Sequence, residues 1–153
     1  MKQQDAKAGG HCGVIINMGS AAAHTATPML TQYTTSKHAV LGLTRSAGKR
    51  MEQIARRIEH RLLTLYHYSA LDNAKYGIRV VSVSPSWVDT PMLSAALEAN
   101  PVLQDIIQHA VPMKRTARVE EVSNVVMFLA SAKASYVTGS DWVVDGGTLL
   151  SAQ

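Results

Sequence analysis

"GVIINMGS", Gly13 to Ser20, is a short apolar run rich in β-branched residues and closed by Gly-Ser. A run of this length ended by a turn signal reads as a buried strand of a parallel sheet. Downstream, after a loop holding Pro28, "TQYTTSKHAVLGLTRSA" (31–47) predicts a helix with Ala39, Val40, Leu43 and Ala47 as its apolar stripe. "YGIRVVSVSP" (76–85) predicts a second strand, with Ile78, Val80, Val81 and Val83 between Gly77 and Pro85. "TPMLSAALEANPVLQDIIQHA" is helical in pattern but interrupted at Pro101, which predicts two short helices. "RVEEVSNVVMFLASAKAS" predicts a longer helix. Glu120 and Glu121 suit its positive N-terminal end, and Val122, Val125, Val126 and Leu129 face inward. "SDWVVDGG" (140–147) predicts a third short strand and a turn.

That order is α/β with a parallel sheet and right-handed crossovers. Three strands alone make a narrow sheet with an unpaired edge. A doubly wound fold is built from two halves. The chain reads as one of them.

Composition bounds the rest. A chain of 153 residues, 46% of them hydrophobic, suits one domain with a real core and excludes a disordered tail. One cysteine, Cys12, excludes an internal disulfide framework and fits a reducing, cytoplasmic setting. The polar, glycine-rich start "MKQQDAKAGGHCG" lacks the apolar run of a secretory signal, and no stretch approaches a membrane span. The net charge is +4, and most of it sits in 48–69, where five cations face two acids. The remainder is nearly neutral, so a general nucleic-acid surface is a poor reading. The six histidines are scattered without ligand spacing, so no metal is expected. Trp87 and Trp142 read as packing residues.

Tyr33 and Lys37 stand four apart on the first predicted helix, which puts them on one face about a turn apart. A free tyrosine is a poor base at neutral pH. A nearby ammonium favours phenolate, and a phenol so tuned can exchange a proton with an alcohol or ketone oxygen. Ser20 lies at the C-terminal end of the preceding strand, where open α/β sheets place their ligands. Its hydroxyl can bond the same oxygen. This suits carbonyl reduction or alcohol oxidation, with the hydride coming from a cofactor. By itself a Tyr and a Lys four apart are commonplace on helix surfaces, and the pair alone does not decide the matter.

From Gly13 to Gly147, with one interruption, the sequence resembles the C-terminal half of the short-chain dehydrogenase/reductases. "IINMGS" looks like the strand carrying the family's serine. "YTTSK" matches Tyr-x-x-x-Lys, and Ser20 precedes Tyr33 by thirteen residues, the usual sort of interval. "YGIRVVSVSPSWVDTPM" looks like the strand and nicotinamide loop that follow. "ARVEEVSNVVMFLAS" and "YVTGSDWVVDGG" look like the last helix and last strand. The wording around "NAKYGIRVVSVSPSWVDTPM" is most similar to fungal members, many of which act in secondary-metabolite pathways. Two residues depart from the pattern: Ser86 stands where glycine is usual and Val81 where asparagine is usual.

The resemblance implies roles. Tyr33 would donate or accept the proton. Lys37 would tune it and hold the nicotinamide ribose, and Ser20 would position the substrate oxygen. Pro85 to Thr90 would border the nicotinamide, with Val88 and Thr90 in contact. Residues 90–113 would form a substrate lid in which Met92, Leu93, Leu97 and Met113 line an apolar pocket. The implied partners are NAD or NADP, a small carbonyl or alcohol substrate, and a second subunit. No membrane or nucleic-acid partner is implied. The family's N-terminal half carries the glycine-rich turn that meets the pyrophosphate, the residue separating NAD from NADP, and a catalytic asparagine. None stands in this sequence. The expectation is therefore a Rossmann-type half lacking the cofactor-binding half: either a truncated oxidoreductase, or a catalytically dead fragment acting through subunit association.

The interruption is "GKRMEQIARRIEHRLLTLYHYS", 48–69. In the family "GLTRSA" would join "ALDNAKYGIRV" directly, through a helix that packs on its counterpart in another subunit. Met51, Ile54, Ile58, Leu62 and Leu65 fall on one helical stripe with the arginines mostly opposite. A basic amphipathic helix for a membrane or partner is one reading, and a plain helical extension is another. A translated, unspliced intron is the third. Gly48-Lys49 can encode a donor, Leu63-Thr64 a branch site and Ser69-Ala70 an acceptor. Excision removes 22 codons in frame and restores "TRSA-A-LDNAK".

Overall fold

The computed structural model describes residues 13–26, 30–45 and 70–151. The segment 48–69 and Cys12 lie outside the described residues. Three parallel strands, β1 (Gly13–Met18), β2 (Ile78–Pro85) and β3 (Asp141–Val144), form one sheet in that order. The register pairs Gly13 with Ile78 and Met18 with Val83, then Ser82 with Asp141 and Pro85 with Val144. The α/β, half-Rossmann expectation holds. Among the described residues β1 and β3 each pair on one side only.

Among the described residues the helices are α1 (Thr31–Arg45), α2 (Ala70–Ala74), α3 (Pro91–Ala99), α4 (Val102–Ala110), α5 (Val119–Ala130) and α6 (Thr148–Ser151). Thr90 and Pro91 start α3 as cap and first-turn proline, and Pro101 separates α3 from α4 as its missing N–H requires. Glu120 and Glu121 occupy the first turn of α5. The sequence pattern did not anticipate α6, which follows the positive-φ pair Gly146 and Gly147. No described helix is long and apolar enough to cross a membrane.

The two faces of the sheet differ in chemistry. Strand alternation sends Val81 and Val83 to one face, where they meet Val122 and Leu129 of α5 and Ala134. Val81 is fully buried there, so valine in place of the family's asparagine adds to an apolar core. Arg79 shares this face and is 7% exposed. Its guanidinium donates to the Leu129, Ser131 and Val137 carbonyls at 2.8, 3.3 and 3.4 Å. Burial holds its pKa below the usual arginine value. The opposite face carries Ile78 and Val80 and then, toward the C-terminal end of β2, the polar Ser82 and Ser84. There α1 packs through Thr44, whose hydroxyl accepts from the Asn17 amide at 3.0 Å.

The apolar stripe predicted for α1 needs correction. Ala39 is exposed, Val40 and Leu43 are half-buried, and the fully buried residues are Leu41 and Thr44. The inward face therefore centres on Leu41 and Thr44, with Thr34, Lys37, Val40 and Leu43 half-buried around them. It is partly polar because it lies against the partly polar face of the sheet, and an apolar pattern cannot reveal it. Ser86, where glycine is usual, is not strained: Lys114 is the one described non-glycine residue at positive φ. The Ser86 hydroxyl instead donates to that of Thr148 at 3.3 Å.

Candidate active site

Parallel strands put all their C-terminal ends on one side of the sheet, and the predicted site residues gather there. β1 ends at Met18. The next amide, Gly19, donates to the Val83 carbonyl at 2.7 Å, which holds the turn against β2. A Cβ at Gly19 would collide with the Ser84 hydroxyl. Ser20 follows, almost fully buried, in extended backbone. Its hydroxyl accepts from the Ala22 amide at 3.2 Å and caps a 3-10 turn, Ala21–Ala23.

Tyr33 and Lys37 stand one turn apart on α1. The Lys37 ammonium lies 5.6 Å from the Tyr33 ring centroid, within cation–π range. It also donates to the Met18 carbonyl at 3.1 Å. Lys37 thus links the phenol-bearing helix to the strand end that leads into Ser20. Tyr33 remains 42% exposed, so its ring faces open space. The described contacts tie Lys37 to Tyr33 and to the end of β1, two residues before Ser20.

Pro85, Val88 and Thr90 continue from the end of β2. Pro85 closes that strand opposite Val144. Val88 bridges to Ala117 and packs on the main core. The Thr90 hydroxyl donates to the Val88 carbonyl and accepts from the Leu93 amide, so it serves as the α3 cap. No described contact joins these three residues to Tyr33 or Lys37.

The predicted lid pocket is corrected in part. Leu93 is buried with Ile107 and Val111 in a small core, with Leu97 and Trp87 packed against it. Two amphipathic helices in sequence bury their apolar faces on each other first. Met92 is largely exposed. Met113 does line a cavity of about 90 Å³, shared with Trp87, Val111, Arg115, Glu121 and Val144. That is below the roughly 300–1,000 Å³ of a small-molecule site. On its rim Arg115 grips Glu121 with two bonds of 2.7 and 2.8 Å. The Arg115 bond, helped by the Arg118 amide, pulls the Glu121 pKa down to about 2.

A polar network near Ser20 escaped the sequence reading. The Asp141 side chain, 1% exposed, accepts from Ser82 and Ser84 on one oxygen and meets His24 Nε2 at 2.7 Å on the other. Its sequence signal was the Val-Ser-Val-Ser alternation in β2 beside an acid opening an apolar strand.

Fold and site together define an open α/β protein with a Tyr-x-x-x-Lys pair at its strand ends. Comparison with known proteins makes this specific. The family model described as enoyl-(acyl carrier protein) reductase matches residues 58–148, more than half of the chain. The model described as short chain dehydrogenase matches residues 3–59. The chain belongs to the short-chain dehydrogenase/reductase family of oxidoreductases.

It is 49% identical over 140 residues to the short-chain dehydrogenase srdC of Neurospora crassa, covering 92% of this chain and 43% of that protein. It is 51% identical over 138 residues to the short-chain dehydrogenase RED2 of Pyricularia oryzae, covering 90% and 42%. A solved gluconate 5-dehydrogenase of Burkholderia cenocepacia, in complex with NADP and tartrate, superposes with a TM-score of 0.70 at 29% identity, covering 92% of this chain and 46% of that one. The chain spans under half the length of these relatives.

Proposed function

We propose that this sequence encodes the proton-handling half of an NAD- or NADP-dependent oxidoreductase that interconverts a ketone and an alcohol on a small, secondary-metabolite type of substrate. The observation that carries the reading is the Lys37 ammonium, held between the Tyr33 ring and the Met18 carbonyl beside Ser20. Kinship to fungal short-chain dehydrogenases supports the oxidoreductase class, and the substrate class rests on the resemblance of the wording around Tyr76 to Met92 to fungal members. The bound NADP of the Burkholderia relative supports the cofactor class.

The residues present fit the nicotinamide end of such a cofactor. Lys37 uses one of its three ammonium hydrogens on Met18, which leaves two for ribose hydroxyls. The loop Pro85–Thr90 leaves β2 on the same side of the sheet. When bound, the nicotinamide supplies or accepts the hydride. Ser20 holds the substrate oxygen through its hydroxyl. Tyr33 gives that oxygen a proton during reduction and takes it back during oxidation. Lys37 keeps positive charge beside the phenol as its proton leaves. A second reading, a fragment acting only through subunit association, is favoured by the short span relative to its kin.

Calorimetric titration of the 153-residue chain with NADH and NADPH tests whether these residues grip the cofactor by themselves. Dinucleotide affinity in this fold resides mostly at the glycine-rich turn and adenosine pocket. No such turn is present in this sequence. The expected result is weak or absent binding and no dehydrogenase turnover. Micromolar affinity for either cofactor overturns that expectation and places the grip within these residues.

The segment 48–69 is proposed to be an insertion, with a retained intron as its origin. The two family models meet at residues 58–59, inside it. Sequencing cDNA across Ser46 to Leu71 is the check, and the main transcript is expected to lack 22 codons. A transcript population that uniformly keeps them refutes the intron origin.

A further inference from the structure

We infer that His24 and Asp141 form a positioning device for Ser20. The inference rests on the reading of Ser20 as the residue that holds the substrate oxygen.

Ser20 and His24 are the two ends of one small unit. Ser20 caps the 3-10 turn Ala21–Ala23 through its hydroxyl, and its carbonyl accepts from the Ala23 amide at 2.9 Å. At the other end the His24 amide donates to the Ala21 carbonyl at 2.9 Å. A turn this short has too few hydrogen bonds to hold itself. It needs an anchor, and the His24 ring supplies one. Nε2 reaches Asp141 Oδ2 at 2.7 Å, across 117 residues of sequence.

The anchor point is itself fixed. Asp141 opens β3, and its other oxygen accepts from the Ser82 and Ser84 hydroxyls of β2. With three donors on a carboxylate that solvent barely reaches, neither oxygen is left without a partner. A carboxylate only accepts, so Nε2 carries the hydrogen. Ser84 also borders the other side of the unit, because it lies where a Gly19 side chain would go. The Ser20 turn is therefore held at its start by the Gly19–Val83 bond and at its end by His24 on Asp141. One hold is on β2, the central strand of the described sheet, and the other on its neighbour β3. The hydroxyl direction of Ser20 follows from that framing, with no contact from Asp141 to Ser20 required.

Amide hydrogen exchange in the whole chain tests this. In His24→Ala, the Ala22, Ala23 and His24 amides should exchange roughly tenfold faster, as a local opening. The Val81 and Val83 amides should be unchanged. His24→Gln places an amide N–H at the same reach and should restore protection. His24 is partly exposed, so its removal lets water reach Asp141 Oδ2, and unchanged Val81 and Val83 exchange verifies that the fold is kept. Unchanged exchange in His24→Ala overturns the inference, as does a loss that His24→Gln fails to recover. The imidazole nitrogen spectrum is a second readout. A neutral His24 ring with its hydrogen on Nδ1 also overturns it. Neither readout involves cofactor or turnover, so the oxidoreductase reading stands or fails separately, by the turnover of Tyr33→Phe in a completed chain.

Discussion

Tyr33→Phe, in a chain completed with the N-terminal half of a family relative, is expected to lower kcat by roughly 10²–10⁴-fold, the usual worth of a positioned acid–base group. Cofactor affinity should hardly change. The ring still packs beside Lys37, and that cation–π contact does not need the hydroxyl. Lys37→Met should damage both kcat and cofactor affinity. It removes the charge beside the phenol, the donor to the Met18 carbonyl and the hydrogens offered to the ribose. The two variants therefore separate proton transfer from cofactor holding. Steady-state kinetics and cofactor titration on the same preparations measure both. Normal turnover in Tyr33→Phe removes Tyr33 from the chemistry and leaves the pair as an ordinary helix-surface contact.

What was legible in the sequence follows a physical division. Strands and helices that bury apolar faces announced themselves, because periodicity is the signature of burial. β2, α5 and the break at Pro101 all formed where the pattern put them. The polar part of the opposite sheet face was invisible to the same test. Thr44, Ser82, Ser84 and Asp141 are buried by hydrogen bonds to partners 27 to 59 residues away or more. Apolar periodicity does not register such distant pairings, and the Val-Ser-Val-Ser alternation of β2 was their one local sign. The inward face of α1 was misjudged for the same reason, since it packs against that face. The lid residues failed differently. Their apolar character was read correctly, but an apolar residue on a short helix pair can face a ligand or its own partner helix. Leu93 and Leu97 took the second course. Ser20, Tyr33 and Lys37 were proposed from family spacing, and in the fold Lys37 reaches the Tyr33 ring and the Met18 carbonyl.

The second large effect concerns stability. α5 ends at Ala130, so the Leu129 carbonyl is among the last four of the helix and has no partner within it. Arg79 reaches that carbonyl from β2 at 2.8 Å and also takes the Ser131 and Val137 carbonyls. Its charge sits at the negative end of the helix dipole. One side chain thus closes the helix and ties it to the central strand. Hydrogen bonds from a charged donor contribute about 1.5–3 kcal/mol each, and unsatisfied buried acceptors cost a similar amount. Part of this is offset, because burying a guanidinium is costly and its Nε makes no hydrogen bond. Arg79→Met keeps the stem and removes the donors, so a net destabilisation of about 2–3 kcal/mol is expected. Urea unfolding should show a lower midpoint at unchanged slope. Arg79→Lys should recover only part of the loss, since one ammonium cannot span three carbonyls spread over nine residues of chain. An unchanged or raised midpoint in Arg79→Met means the desolvation cost of the buried guanidinium cancels its bonds, and the closure of α5 then rests on the apolar packing of Leu129 alone.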